Sequence, residues 1–193
     1  MAVQTITPPA ELAVTLAEFR RHLWNVYDGH DTDEELLDFI QSATEQAEAL
    51  CGRKFMRREL RMDAWLGQWM VLPFGDFVGV TGWGYTDKSS NAVSGVLDEV
   101  RIRHRGGLDP LAEILLPFER DWKDGWITWR VGMADTPADL PADIRMAIKQ
   151  CAAYAYNNRA TAAQTGETGD VRLLPQVGEA LLFRHRINLI PDY

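Results

Sequence analysis

Lysine and arginine are nearly missing from the first quarter of this chain. Residues 1–52 carry ten Asp and Glu against only Arg20 and Arg21, so the whole net charge of −8 arises there. That scarcity excludes a groove that grips nucleic acid tightly, because phosphate binding needs clustered bases. Cysteine is scarce too. Cys51 and Cys151 are the only two, a hundred positions apart, which excludes a disulfide framework and predicts free, buried thiols. No apolar run approaches the roughly 18 residues that span a bilayer, so a soluble protein with no membrane partner is expected. The opening "MAVQTITPPAELAV" lacks the basic and apolar regions of a secretory signal, which predicts a cytoplasmic product.

The chemistry of sites is equally sparse. His22, His30, His104 and His185 are scattered without ligand spacing, and there is no HExxH, G-x-S-x-G, P-loop or dinucleotide fingerprint. "GWGY" from Gly82 lacks a third glycine and a following helix, and reads as a strand with a bulge. The carboxylate pairs Asp98-Glu99 and Asp121-Asp124 have no spacing that implies glycosidase geometry. No nucleophile, base and orienting group fall at interpretable spacing, so neither an enzyme, a cofactor nor a metal is expected.

What is present is architecture. A length of 193 residues suits one domain of ordinary size. "TLAE" from Thr15 is a capping box and predicts a short helix to about Leu23 or Tyr27. After a turn at Asp28–Asp31, Thr32 and Glu35 form a second box, opening a helix that runs to Cys51 with Gly52 as its stop. Leu36, Ile40, Ala43, Ala47 and Leu50 recur at helical spacing and predict one buried stripe. Opposite them stand Glu34, Asp38, Gln41, Glu45 and Glu48, with no base anywhere in the helix.

From Arg53 the period changes. "RRELRMDAW", "WMVLPF", "FVGVTGWGY", "VRIRHR", "AEILLPF" and "WITWRVG" read as short antiparallel strands, with Thr86 to Asp98 as the most loop-like part. Trp65, Trp69, Trp83, Trp122, Trp126 and Trp129 all fall in this region. They serve a small core, a protein interface, or a platform that stacks on sugar rings.

"LPADIRMAIKQCAAYAYNNR", residues 140–159, returns to a helical period, with Asp139 as candidate N-cap, Pro141 in the first turn and Asp143 near the positive dipole end. Ile144, Ala147, Ile148, Cys151, Ala152, Tyr154 and Ala155 share the predicted core face. The other face holds Met146, Ala153 and Tyr156 among few polar residues, too apolar for a freely solvated surface. "ATAAQTGETGD" reads as a loop, Pro175 to about His185 as a short helix, and the chain closes on an apolar, proline-bearing tail.

Taken in order, "TLAEFRRHL", "DTDEELLDFIQSATEQAEALCGRKF", "WITWRVGMA", "LPADIRMAIKQCAAYAYNNR" and "LLPQVGEALLFRHR" resemble the head-tail connector (adaptor) proteins of long-tailed phages and gene transfer agents. The resemblance spans nearly the whole chain and rests on the order and spacing of these segments. It implies an α+β fold: a small helical bundle with an antiparallel β insertion between the second and third long helical elements. On that frame residues 1–193 form a single adaptor domain, with helices in 15–52, the β-rich insertion in 53–133, a core helix in 139–159, and a C-terminal helix and docking tail in 171–193.

The resemblance further implies a virion neck protein made in the host bacterial cytoplasm. It forms a dodecameric ring under the portal, meets the next tail or neck protein, and lets DNA pass without specific binding. A ring subunit needs apolar residues on two sides of a helix, which makes Met146, Ala153 and Tyr156 the expected subunit interface. Leu182, Phe183, Arg184, Arg186, Ile187, Leu189, Ile190 and Tyr193 are the expected portal-binding tail, since apolar chain ends order on a partner. Asp38, Glu45 and Glu48 are expected to line the channel, where carboxylates avoid ion pairs with phosphate. A Trp-rich carbohydrate-binding or tail-associated module, or a generic dimer, is the alternative.

Overall fold

The computed structural model describes residues 2–23, 32–104, 111–119, 122–158 and 175–187. The chain divides into two compact units. One comprises Glu11–Cys51 and Ala134–Arg186; the other comprises Met1–Ala10, Gly52–Met133 and Ile187–Tyr193. The predicted turn at Asp28–Asp31 and the loop "ATAAQTGETGD" fall outside the described residues.

The first unit is helical. Its helices are α1 (Leu16–His22), α2 (Asp33–Cys51), α3 (Ala142–Asn157) and α4 (Gln176–Phe183). Both capping boxes close. The Glu18 N–H donates to Thr15 Oγ1 at 3.2 Å while the Thr15 N–H donates to the Glu18 carboxylate at 3.3 Å. At α2 the Glu35 N–H reaches Thr32 Oγ1 at 3.3 Å and the Thr32 N–H reaches Glu35 at 2.9 Å. Each box satisfies donors that an open helix end leaves orphaned. Gly52, at φ +66°, ends α2 in the left-handed conformation that disfavours any Cβ.

At α3 the cap differs from expectation. Asp139 lies in a 3-10 turn, where it accepts the Thr136 hydroxyl at 2.8 Å, and Pro141 occupies the N-cap. Proline needs no partner for an absent N–H, and Asp143 takes the Ile144 N–H at 2.9 Å.

The helical core is built from Phe19, Leu36, Ile40, Ala47, Ile144, Ala147, Ile148, Cys151, Ala152 and Leu182. Many of these are small, so the helices approach closely. A Cβ added at Gly178 of α4 would sit 2.9 Å from Cys151 Sγ. Arg145 of α3 pairs with Glu18 of α1 at 3.1 Å.

The second unit is all β. Its strands are β1 (Val3–Thr7), β2 (Arg58–Ala64), β3 (Trp69–Val71), β4 (Phe77–Asp87), β5 (Ala92–Ser94), β6 (Arg101–His104), β7 (Ala112–Leu115) and β8 (Trp122–Val131). They form a five-stranded antiparallel sheet ordered β1-β2-β8-β4-β5 and a three-stranded one ordered β3-β7-β6. In β2 Leu60, Met62 and Ala64 are buried while Arg61 and Asp63 are exposed, the alternation a half-buried strand requires. Register pairs Leu60 with Trp129 and Met62 with Ile127, and these join Met70, Leu72, Trp83, Ile114 and Leu116 in one core.

"GWGY" is a strand, as read, but its four residues pair in regular register with Thr128 to Gly125, and the register shifts flank it, between Val80 and Gly82 and between Tyr85 and Asp87. The segment expected to be most loop-like contains β5 and a 3-10 turn at Leu97–Glu99.

Candidate assembly surfaces

The acidic face of α2 is narrower than its sequence suggests. Asp38 and Glu45 are exposed, with Glu45 accepting from Gln41 at 3.0 Å. Glu48 is 1 % exposed and does not belong with them. At about 100° per residue it falls among Thr44, Ala47 and Cys51, all buried, and so lies on the core side of the helix. It therefore cannot line a channel from this helix.

On α3 the two tyrosines exchange places relative to expectation. Tyr154, expected in the core, is 38 % exposed; Tyr156, expected at a subunit interface, is 3 % exposed. Both stand at the margins of the buried stripe, at roughly equal angles on either side of it. Phe39 of α2 decides between them, meeting Tyr156 edge-on at a ring distance of 5.7 Å. Met146 remains exposed and Ala153 half-buried, so the open strip of α3 is Met146, Ala153 and Tyr154, with Lys149 and Gln150 between them.

The expected docking tail is also partly internal. Leu182 is fully buried on α4, four residues from buried Gly178, and its carbonyl lies 3.6 Å from Cys51 Sγ. Ile187 is buried as well. Neither is open to a partner: Leu182 is spent on the helical core, and Ile187 is already covered within the chain. Phe183 is 69 % exposed and Arg184 and Arg186 are exposed. Leu189, Ile190 and Tyr193 lie outside the described residues.

Just after α4, His185 Nε2 meets Asp143 Oδ2 at 2.8 Å, tying the end of α4 to the start of α3. Burial alone pushes the Asp143 carboxyl up, but the His185 hydrogen bond and charge, with the Ile144 N–H, outweigh it and hold the group below its ordinary value. Burial pushes the Cys151 thiol up to about 11, which makes it unreactive; Cys51 is buried as well, and neither cysteine is in a disulfide.

The six described tryptophans divide into three groups. Trp83 and Trp129 are core, and Trp83 donates to the Val96 carbonyl at 2.8 Å. Trp122 and Trp126 are half-buried: Trp122 stacks on Tyr85 at 3.8 Å, and Trp126 lies over Gly84, where an added Cβ would come 2.6 Å from the ring, with Arg61 above it at 4.5 Å. Trp65 and Trp69 are exposed; Arg103 stacks over Trp69 at 4.2 Å and pairs with Glu113.

Trp65 and Phe118 both line an open cleft of about 550 Å³, with Trp122, Lys123 and Asp124. Phe118 was invisible to periodicity, because it follows Pro117 beyond the end of β7 and has no alternating neighbours. Among the described residues no three His, Cys, Asp or Glu side chains gather as metal ligands.

No family model and no curated protein matches the chain. Solved structures do. In the neck of an empty gene transfer agent (GTA) particle computed with C6 symmetry, one chain superposes with a TM-score of 0.76 at 22% identity, covering 100% of this chain and 99% of that one. A chain of the native GTA virion gives 0.74 at 21% identity with the same coverage. The neck of a native GTA particle computed with C12 symmetry gives 0.74 at 22% identity, again over 100% and 99%. The chain thus shares, from end to end, the fold of chains in GTA neck and virion structures.

Proposed function

We propose that the chain is a structural virion protein of the neck, a head-tail adaptor that assembles into a ring, binds the portal and extends the DNA channel toward the tail. The observation that carries this reading is the full-length superposition on GTA neck chains, in particles computed with sixfold and twelvefold symmetry. The open strip of α3 supports the ring, because Met146 and Ala153 present apolar surface that the subunit's own core does not use. Phe183, Arg184 and Arg186 support the portal contact, an exposed aromatic beside two bases suited to charge-assisted hydrogen bonds, with Leu189, Ile190 and Tyr193 beyond them. Asp38 and Glu45 are proposed to face the channel. Carboxylates there add no counterion-release affinity for the passing phosphates, so DNA moves through without specific binding.

The role is structural, not enzymatic, and the ring meets a further neck or tail protein on its far side. The test is negative-stain imaging with mass measurement, alone and mixed with a portal protein. A ring that co-purifies with the portal, and loses it on deletion of residues 183–193, is expected. A chain that stays monomeric in both conditions overturns the reading.

A further inference from the structure

The β unit exposes more aromatic surface than its own core explains. Trp65 and Phe118 are each 60 % exposed, and both line the same cleft. Trp65 also lines a second depression of about 400 Å³ with Trp69, Met70 and Val71, whose lining carries no charged residue. Trp65 therefore links the two depressions, with Phe118 in one and Trp69 in the other. Patches of this kind on an otherwise polar surface mark contacts with another macromolecule, and Trp is over-represented where binding energy concentrates. Charges rim the patch, carboxylates outnumbering bases. Asp124 and Lys123 line the first cleft, while Asp98, Glu99 and Arg101 line a third depression that shares Phe118.

The open strip of α3 is its counterpart. Met146, Ala153 and Tyr154 recur at i, i+7 and i+8, the spacing by which a helix lays anchors into an apolar groove. They span about 12 Å of helix. The strip carries a cation, Lys149, and α3 has no carboxylate after Asp143, which is itself engaged by His185. Arg145, the other base, is engaged by Glu18. One surface is thus an aromatic cleft rimmed by three carboxylates and two bases, and the other an apolar helix strip with a single available cation.

A ring closed by rotation needs such a pair, because a heterologous contact joins two different patches of the same chain. We propose that the cleft between Trp65 and Phe118 receives the outer strip of α3 from a second copy of this chain, joining the β unit of one subunit to the helical unit of the next. This rests on the neck-ring reading and specifies its subunit contact.

The experiment uses full-length chains that carry one dead face each. Trp65→Ala with Phe118→Ala removes the cleft, and Met146→Glu removes the strip; matching thermal melts to the parent establish folding. Each variant alone fails to form rings, with its association midpoint raised at least about thirtyfold, the effect of losing a binding hot spot. Mixed together, the two variants form a one-to-one dimer by native mass spectrometry, because one intact cleft meets one intact strip. Lys149→Glu weakens assembly, and Asp124→Lys on the neighbour restores it.

Rings of undiminished stability in the cleft variant overturn the inference and leave the ring itself standing. Loss of rings without a mixed dimer overturns it in favour of a self-complementary contact. Intact rings that lose only a different neck protein, or that bind a labelled glycan through Trp65, assign the cleft to that other partner. A parent chain that never assembles, with or without portal, removes both this inference and the neck reading.

Discussion

The two units solve the same problem, burying enough surface, with opposite materials. The helical unit packs alanine, cysteine and glycine where its helices cross, Ala47, Cys51, Ala147, Cys151, Ala152 and Gly178, so that backbones come close. The β unit fills its interior with Trp83, Trp129 and the long side chains of Leu60, Met62, Met70, Leu72 and Leu116. The difference teaches where each is fragile. A core of large rings is damaged by truncation, which leaves a cavity; a core of small residues is damaged by enlargement, which has nowhere to go.

The largest effect expected from this contrast is Trp129→Ala. It removes a fully buried ring at the centre of the sheet and should cost about 3–5 kcal/mol, read as a fall in the urea midpoint of the β unit. A loss below about 1 kcal/mol would mean that the ring is not integral to the core. Next is Ala147→Leu on α3, which forces added volume into the helical core at a cost of about 1–3 kcal/mol. If Ala147→Leu is neutral while Trp129→Ala is severe, only half of the contrast survives. Thr32→Ala follows: it opens the capping box of α2 and should cost about 1 kcal/mol in thermal unfolding, with little change in the β unit.

The caps were legible in the sequence because they are local. Thr15 with Glu18 and Thr32 with Glu35 contain both partners within one turn, and Gly52 announces its own left-handed φ. Most of the strand series from Arg57 to Gly132 was legible for a similar reason, since each run carries its own β-branched and aromatic residues between turn residues; β5, inside the segment read as loop, was not. What needed a partner from far along the chain was not legible. Val3–Thr7 becomes a strand because β2 offers an edge to pair with, Val3 opposite Met62; four of its five residues are β-branched, but so short a run names no partner. Tyr154 and Tyr156 both stand at the margins of the periodic stripe, and the Phe39 ring that meets Tyr156 comes from another helix. Leu182 looked like part of an apolar tail until α4 turned it toward Cys51. The candidate surfaces were legible only in part, for exposure is a property of the folded chain: Met146 and Phe183 stay open, while Glu48 does not.

The smallest expected effect concerns the tie between α3 and α4. A carboxyl depressed in the folded state, as Asp143 is, contributes stability above the ordinary value of 3.8 and loses it as pH falls through the lower folded value. The helical unit should therefore weaken as pH drops below about 3.8, and Asp143→Asn should flatten that part of the pH–stability curve while leaving the β unit's response unchanged. An identical slope in both proteins would show that the pair adds nothing to stability.

The sorting of the tryptophans also makes the chain its own optical probe. Trp83 and Trp129 emit from a dry interior, whereas Trp65 and Trp69 emit in contact with water. Denaturant moves the first pair toward the red; a partner settling over the cleft moves the second pair toward the blue and shields it from a soluble quencher. Unfolding and docking thus pull the emission of one unlabelled chain in opposite directions, and can be followed separately in the same cuvette.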